Sequence, residues 1–77
     1  MTLDQDAQLV RMVNQIAANL GGGREPDEAA DGVCDHLEKF WARPMKRRVI
    51  ACLDEADNGL APLARQAVER LAERQAG

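Results

Sequence analysis

The stretch PDEAADGVCDHLEKFWARPM, residues 26–45, decides the fold. Proline followed by two acids is a helix start, because proline suits the first turn and carboxylates suit the positive end of the helix dipole. At about 100° per residue, Ala30, Val33, Leu37, Phe40 and Trp41 gather on one side. Asp31, Asp35, Glu38 and Lys39 take the other, so the spacing predicts an amphipathic helix over 26–42. Pro44 ends it, since the residue before a proline is pushed out of helical geometry.

The same periodicity extends outward in both directions. Towards the N-terminus, Leu9, Val13, Ile16 and Leu20 share one face and predict a helix over 4–20, with Thr2 and Gln5 spaced as a capping box. GGGREP, residues 21–26, interrupts it, because consecutive glycines have no helical preference. Towards the C-terminus, Pro44 opens a third helix over 44–57, with Met45, Val49, Cys52, Leu53 and Ala56 along one face. DNG at 57–59 stops it, Gly59 being a natural left-handed residue. Pro62 restarts the chain, and Leu63, Ala64, Ala67 and Leu71 predict a fourth helix over 61–74, followed by a fraying ERQAG tail. No strand-like alternation occurs. The expected fold is all-α, a small bundle or array of about four short helices, in one helical domain over residues 1–77.

Composition narrows the function. The chain is 45% hydrophobic and 30% charged, as globular domains are. Phe40 and Trp41 are its only aromatic residues, so an aliphatic core has little room for a deep pocket with convergent polar groups. A net charge of −3 argues against nucleic acid as the main partner. No apolar run is long enough to span a membrane. The opening MTLDQDAQLV lacks the basic start and apolar stretch of a signal peptide, and two cysteines are too few for a disulfide scaffold. A cytoplasmic setting with reduced thiols is the expectation.

The chemistry-bearing residues do not assemble into a site on spacing alone. Cys34 and His36 stand two apart on a helix and point about 160° away from each other, so they cannot share a metal ion. Cys52 falls on an apolar face, where a small buried thiol is ordinary. His36 has no serine in the chain to activate and no cysteine on its own face. The glycines follow no strand and precede no GK[ST], so they make neither a P-loop nor a dinucleotide fingerprint.

The basic knot Arg43, Lys46, Arg47 and Arg48 is more informative. Cations at a helix N-terminus oppose the dipole, so either Asp54 and Glu55 further along or an acidic partner must compensate. Phe40 and Trp41 precede the knot, and aromatics beside arginines are the residue types that dominate protein interfaces. In the first helix, Arg11, Asn14, Gln15 and Ala18 form a face opposite the apolar stripe that carries little charge.

RMVNQIAANL, 11–20, and HLEKFW followed by proline, methionine and basic residues, 36–48, together resemble the delta subunit of NAD-dependent formate dehydrogenases, which typically reads R-M-x-N-Q-I-A in its first helix. NGLAPLARQAVERL, 58–71, extends the resemblance over nearly the whole chain. One departure stands out. Where the family reads x-Pro-Arg-Met after the tryptophan, this chain has Ala42, Arg43, Pro44 and Met45.

The resemblance implies a non-catalytic subunit without a cofactor of its own. Its partner would be the catalytic molybdenum subunit, with the enzyme's other subunits as further contacts, and its role would be assembly, cofactor insertion or stability. Taken with the misplaced charge, it points to a docking set of Arg11, Asn14, Gln15, His36, Lys39, Trp41, Arg43 and Arg47, with Phe40 and Met45 fixing two helices beneath. Two rival readings are a small helical nucleic-acid-binding regulator, using KRR and the arginines of the fourth helix, and a self-associating bundle that forms a weak homodimer.

Overall fold

A computed structural model describes residues 4–76. Four α-helices follow one another: α1 (Asp4–Gly21), α2 (Pro26–Phe40), α3 (Arg43–Ala51) and α4 (Pro62–Ala76), with a 3-10 turn at Cys52–Asp54 after α3. No strand occurs among the described residues. Thr2, the expected cap of the first helix, lies outside them. The radius of gyration, 11.4 Å, is close to the roughly 11.5 Å of a compact chain this long.

The core is aliphatic, as the composition requires. Val13 and Ala17 of α1, Val33, Cys34 and Leu37 of α2, Val49 of α3, and Ala64, Ala67, Val68 and Leu71 of α4 are buried together. Ile16, Leu20, Met45, Leu53 and Leu63 pack against this cluster while partly exposed. No polar or charged residue among those described is buried.

The adjacent aromatics part company, which corrects the expected stripe. α2 ends at Phe40 rather than at residue 42, because the backbone turns extended at Trp41 (φ −91°, ψ 137°) and stays so at Ala42. Leaving helical geometry at Trp41 swings the indole into the core, where it is 7% exposed, and leaves Phe40 72% exposed. A mid-helix register would have placed both rings on one side; the early exit separates them.

The third helix is also shorter than expected. It ends at Ala51, tightens into the 3-10 turn, and leaves helical geometry at Glu55, whose N–H donates to the Cys52 carbonyl at 3.1 Å. Ala56, expected on the apolar face, is exposed. The stop comes early because a second set of bonds holds the following loop. Gly59 takes the left-handed conformation (φ +77°), and the Leu60 N–H donates to Asn58 Oδ1 at 2.9 Å. From α1, Asn14 Nδ2 donates to the Gly59 carbonyl at 3.0 Å and Asn14 Oδ1 accepts from the Ala61 N–H at 2.9 Å. One amide thus fastens the loop to the first helix by both its ends.

The acids of α2, on the face opposite the apolar stripe as expected, pair across the surface with α4. Arg70 reaches Asp27 at 2.8 Å and Asp31 at 2.6 Å, and Gln66 donates to Asp27 at 3.1 Å. Arg74 reaches Asp35 at 2.7 Å and Glu38 at 2.9 Å. Numbers rise together along the two helices, so α2 and α4 run parallel. These carboxylates hold both guanidiniums above their ordinary pKa, chiefly through the hydrogen bonds that Arg70 donates to Asp31 and Arg74 donates to Asp35. The ladder also carries α4 to Ala76, two residues past its expected end.

Three outcomes follow for stability. Trp41→Ala costs about 3–5 kcal/mol in urea denaturation whereas Phe40→Ala stays within about 0.5 kcal/mol, because only the indole leaves a cavity. Asn14→Ala costs about 1–2 kcal/mol for two hydrogen bonds, and Asn14→Asp recovers part of it by keeping the acceptor. Arg74→Ala lowers the melting temperature at low salt, and the gap to wild type narrows at about 1 M salt, where exposed ion pairs are screened.

Candidate functional site

The corner between α2 and α3 carries the unusual chemistry. Its cations divide into those the fold uses and those it does not. Lys46 Nζ donates to the Glu38 carbonyl at 3.4 Å, placing a cation at the negative end of α2. Arg48 donates to Gln5 Oε1, and its Nε lies 3.1 Å from Asp6 Oδ1 on α1. The internal compensation for the basic knot therefore comes from the first helix, not from Asp54 and Glu55. Asp6 Oδ1 is buried without an aligned hydrogen-bond donor, so the contact is one of charge rather than of a directed bond.

Arg43 and Arg47 are different. Both are exposed, and among the described residues neither has an ion-pair or hydrogen-bond partner. They stand four apart on α3, hence on one face, beside Pro44 and Arg48 on a shallow basic surface. No acid occupies the first turn of this helix, so the dipole there works against them. Lys39 is exposed in the last turn of α2, where the dipole favours it.

His36 and Phe40, four apart on α2, stack with ring centroids 4.9 Å apart and planes tilted by 46°. An exposed phenylalanine leaning on a half-buried imidazole is an apolar projection at the rim of the basic surface. On the other side of Pro44, a groove is lined by Leu9, Met12 and Met45 together with Gln5, Gln8 and Arg48. Met12, 42% exposed, is the second large apolar side chain left in solvent.

The expected docking set is thus only partly at the surface. His36, Lys39, Arg43 and Arg47 surround the corner. Arg11 and Gln15 are exposed on α1, a separate face. Trp41 is in the core and offers nothing to a partner while the fold is intact. Asn14 spends its amide on the 59–61 loop. Phe40 was read as a core residue and is instead the exposed aromatic. Periodicity carries no signal for it, since it does not show that the helix ends between the two rings.

The donor set fits neither a metal ion nor an iron–sulfur cluster. Among the described residues no three His, Cys, Asp or Glu side chains come together. Cys34 and Cys52 are free and buried. Burial pushes the Cys34 thiol above its usual pKa, against the pull of Arg74, and burial with the nearby Asp6 and Glu55 carboxylates does the same at Cys52. Both remain protonated at neutral pH, which makes them poor ligands and poor nucleophiles.

Arg70 and Arg74 are committed to the carboxylates of α2, which leaves Arg65 as the exposed cation of α4 without a partner among the described residues. No described helix is long and apolar enough to cross a membrane.

No curated protein and no solved structure matches this chain. A family model does, over residues 8–68, a span that holds RMVNQIAANL, the aromatic corner and the first half of α4. By that match the chain belongs to the NADH-dependent formate dehydrogenase delta subunit family, FdsD.

Proposed function

We propose that this chain is a non-catalytic accessory subunit of a cytoplasmic, NAD-dependent molybdenum formate dehydrogenase. It attaches to the catalytic molybdenum subunit, with the other subunits as further contacts, and supports assembly, cofactor insertion or stability. The family match over residues 8–68 carries this reading. Formate oxidation and electron transfer to NAD belong to the rest of such an enzyme.

Two features of the fold agree with an accessory role. Among the described residues no polar or charged residue is buried in the core, which leaves little there to orient a small substrate. The corner of α2 and α3 instead offers an aromatic projection and unpaired cations, the material of a protein–protein contact. His36, Lys39, Arg43 and Arg47 form the rim of that contact in this reading.

Tagged wild-type protein, purified from the cell that makes it, should bring down the catalytic subunit of the formate dehydrogenase in stoichiometric amount. Recovery of no formate dehydrogenase subunit at either low or high salt would overturn the reading.

A further inference from the structure

The fold supplies partners for four of its ten cations, and of the six without one among the described residues only Arg43 and Arg47 share a helix. Arg70 and Arg74 are met by four acids of α2, Arg48 by Asp6, and Lys46 by a helix-end carbonyl. Arg43 and Arg47 have no partner among the described residues, although the chain carries more acids than bases. They share one face of α3, and Arg43 stands at the wrong end of the helix dipole, where a cation is disfavoured in the free protein. Three residues before Arg43 comes Phe40, 72% exposed, its Cα within about 10 Å of that of Arg43 by chain length alone. His36 fixes its ring from one side.

We infer that Phe40 is the centre of the docking face with Arg43 and Arg47 on its rim, and that the partner presents an apolar pocket bordered by Asp and Glu side chains. Phe40 enters the pocket while the two guanidiniums pair with its carboxylates. The charge selects this occupant: a second copy of the chain would set like charges against each other at a two-fold contact. The inference rests on the subunit reading and adds to it the residues and the chemistry of the partner surface. It also gives the chain's Arg43-Pro44 order a role. Arginine stands at the first position of α3, one residue nearer to Phe40 along the chain than in the family order.

The test uses the purified catalytic subunit of the formate dehydrogenase and the full-length chain, with Kd measured by titration calorimetry at two salt concentrations. Phe40→Ala should raise Kd about tenfold or more, as loss of a central aromatic does. The double variant Arg43→Glu, Arg47→Glu should raise it about a hundredfold at low salt and invert its salt dependence, added salt now tightening binding, because the attractive charge has been reversed. Arg65→Glu, on α4, should leave Kd unchanged. All three sites are exposed, so circular dichroism melts should stay near wild type and separate lost binding from lost folding.

Wild-type binding that survives both corner changes would overturn the inference and leave the subunit reading standing. A wild-type chain that does not bind the subunit at all would overturn the subunit reading, and the inference with it. Duplex DNA binding abolished by the same double variant, with no subunit binding, would likewise reassign the corner to nucleic acid and overturn the inference.

Discussion

The insertion of Trp41 is the contact on which the rest of this protein turns. A chain with two aromatic residues has one chance to fill a helix corner with a large ring, and it uses the indole. The backbone must leave helical geometry at that residue for the ring to reach the core. That early exit sets the start of α3, places Arg43 at the corner, and turns Phe40 outward. Structure and surface are linked here by a single change of backbone angle, because burying one member of an adjacent pair exposes the other.

Around that corner, electrostatics sorts the surface into used and unused charge. An i, i+4 series of acids on α2 faces an i, i+4 series of arginines on α4, and each satisfies the other. Individual exposed pairs contribute little, but a register of several fixes how two helices slide relative to each other. Charge that is neutralised within the fold is unavailable to a partner. The net charge of −3 therefore says less about recognition than the location of the cations left without a partner among the described residues.

Four helices in an all-α fold were legible because apolar spacing and the glycine and proline breaks agree at every junction. The buried members of each stripe, such as Val13, Val33, Leu37 and Leu71, were legible for the same reason. What periodicity could not resolve is where a helix stops, since it treats Phe40 and Trp41 as neighbours on one continuing surface. The end of α3 was misplaced similarly: Asn14, more than forty residues away in sequence, decides the path of the 57–61 loop. Asn14 was placed at the surface for its polarity, and no local pattern reveals that its amide is taken. The ladder was within reach, because Asp27, Asp31 and Asp35 have the spacing of Gln66, Arg70 and Arg74. Without knowing which helices touch, it reads as two solvated faces. Of the proposed docking rim, Arg43 and Arg47 come from the basic knot at a helix start, and His36 and Lys39 from the family motif. Phe40 needed the structure.

The parallel course of α2 and α4 has a consequence for how this chain reaches its native state. Neighbouring helices joined by a short turn must run antiparallel, as a hairpin does, and close a small loop. A parallel pair cannot be made that way. The ladder joins residues 36 to 43 apart, and the whole segment from the corner through the 57–61 loop must be folded back before its first rung can close. Loop-closure entropy is met before those contacts return anything, so this seam has the character of a late, non-local step in a protein of otherwise local contacts. Until it closes, Ala64, Ala67, Val68 and Leu71 form an uncovered apolar stripe, and the newly made chain has a sticky C-terminal half.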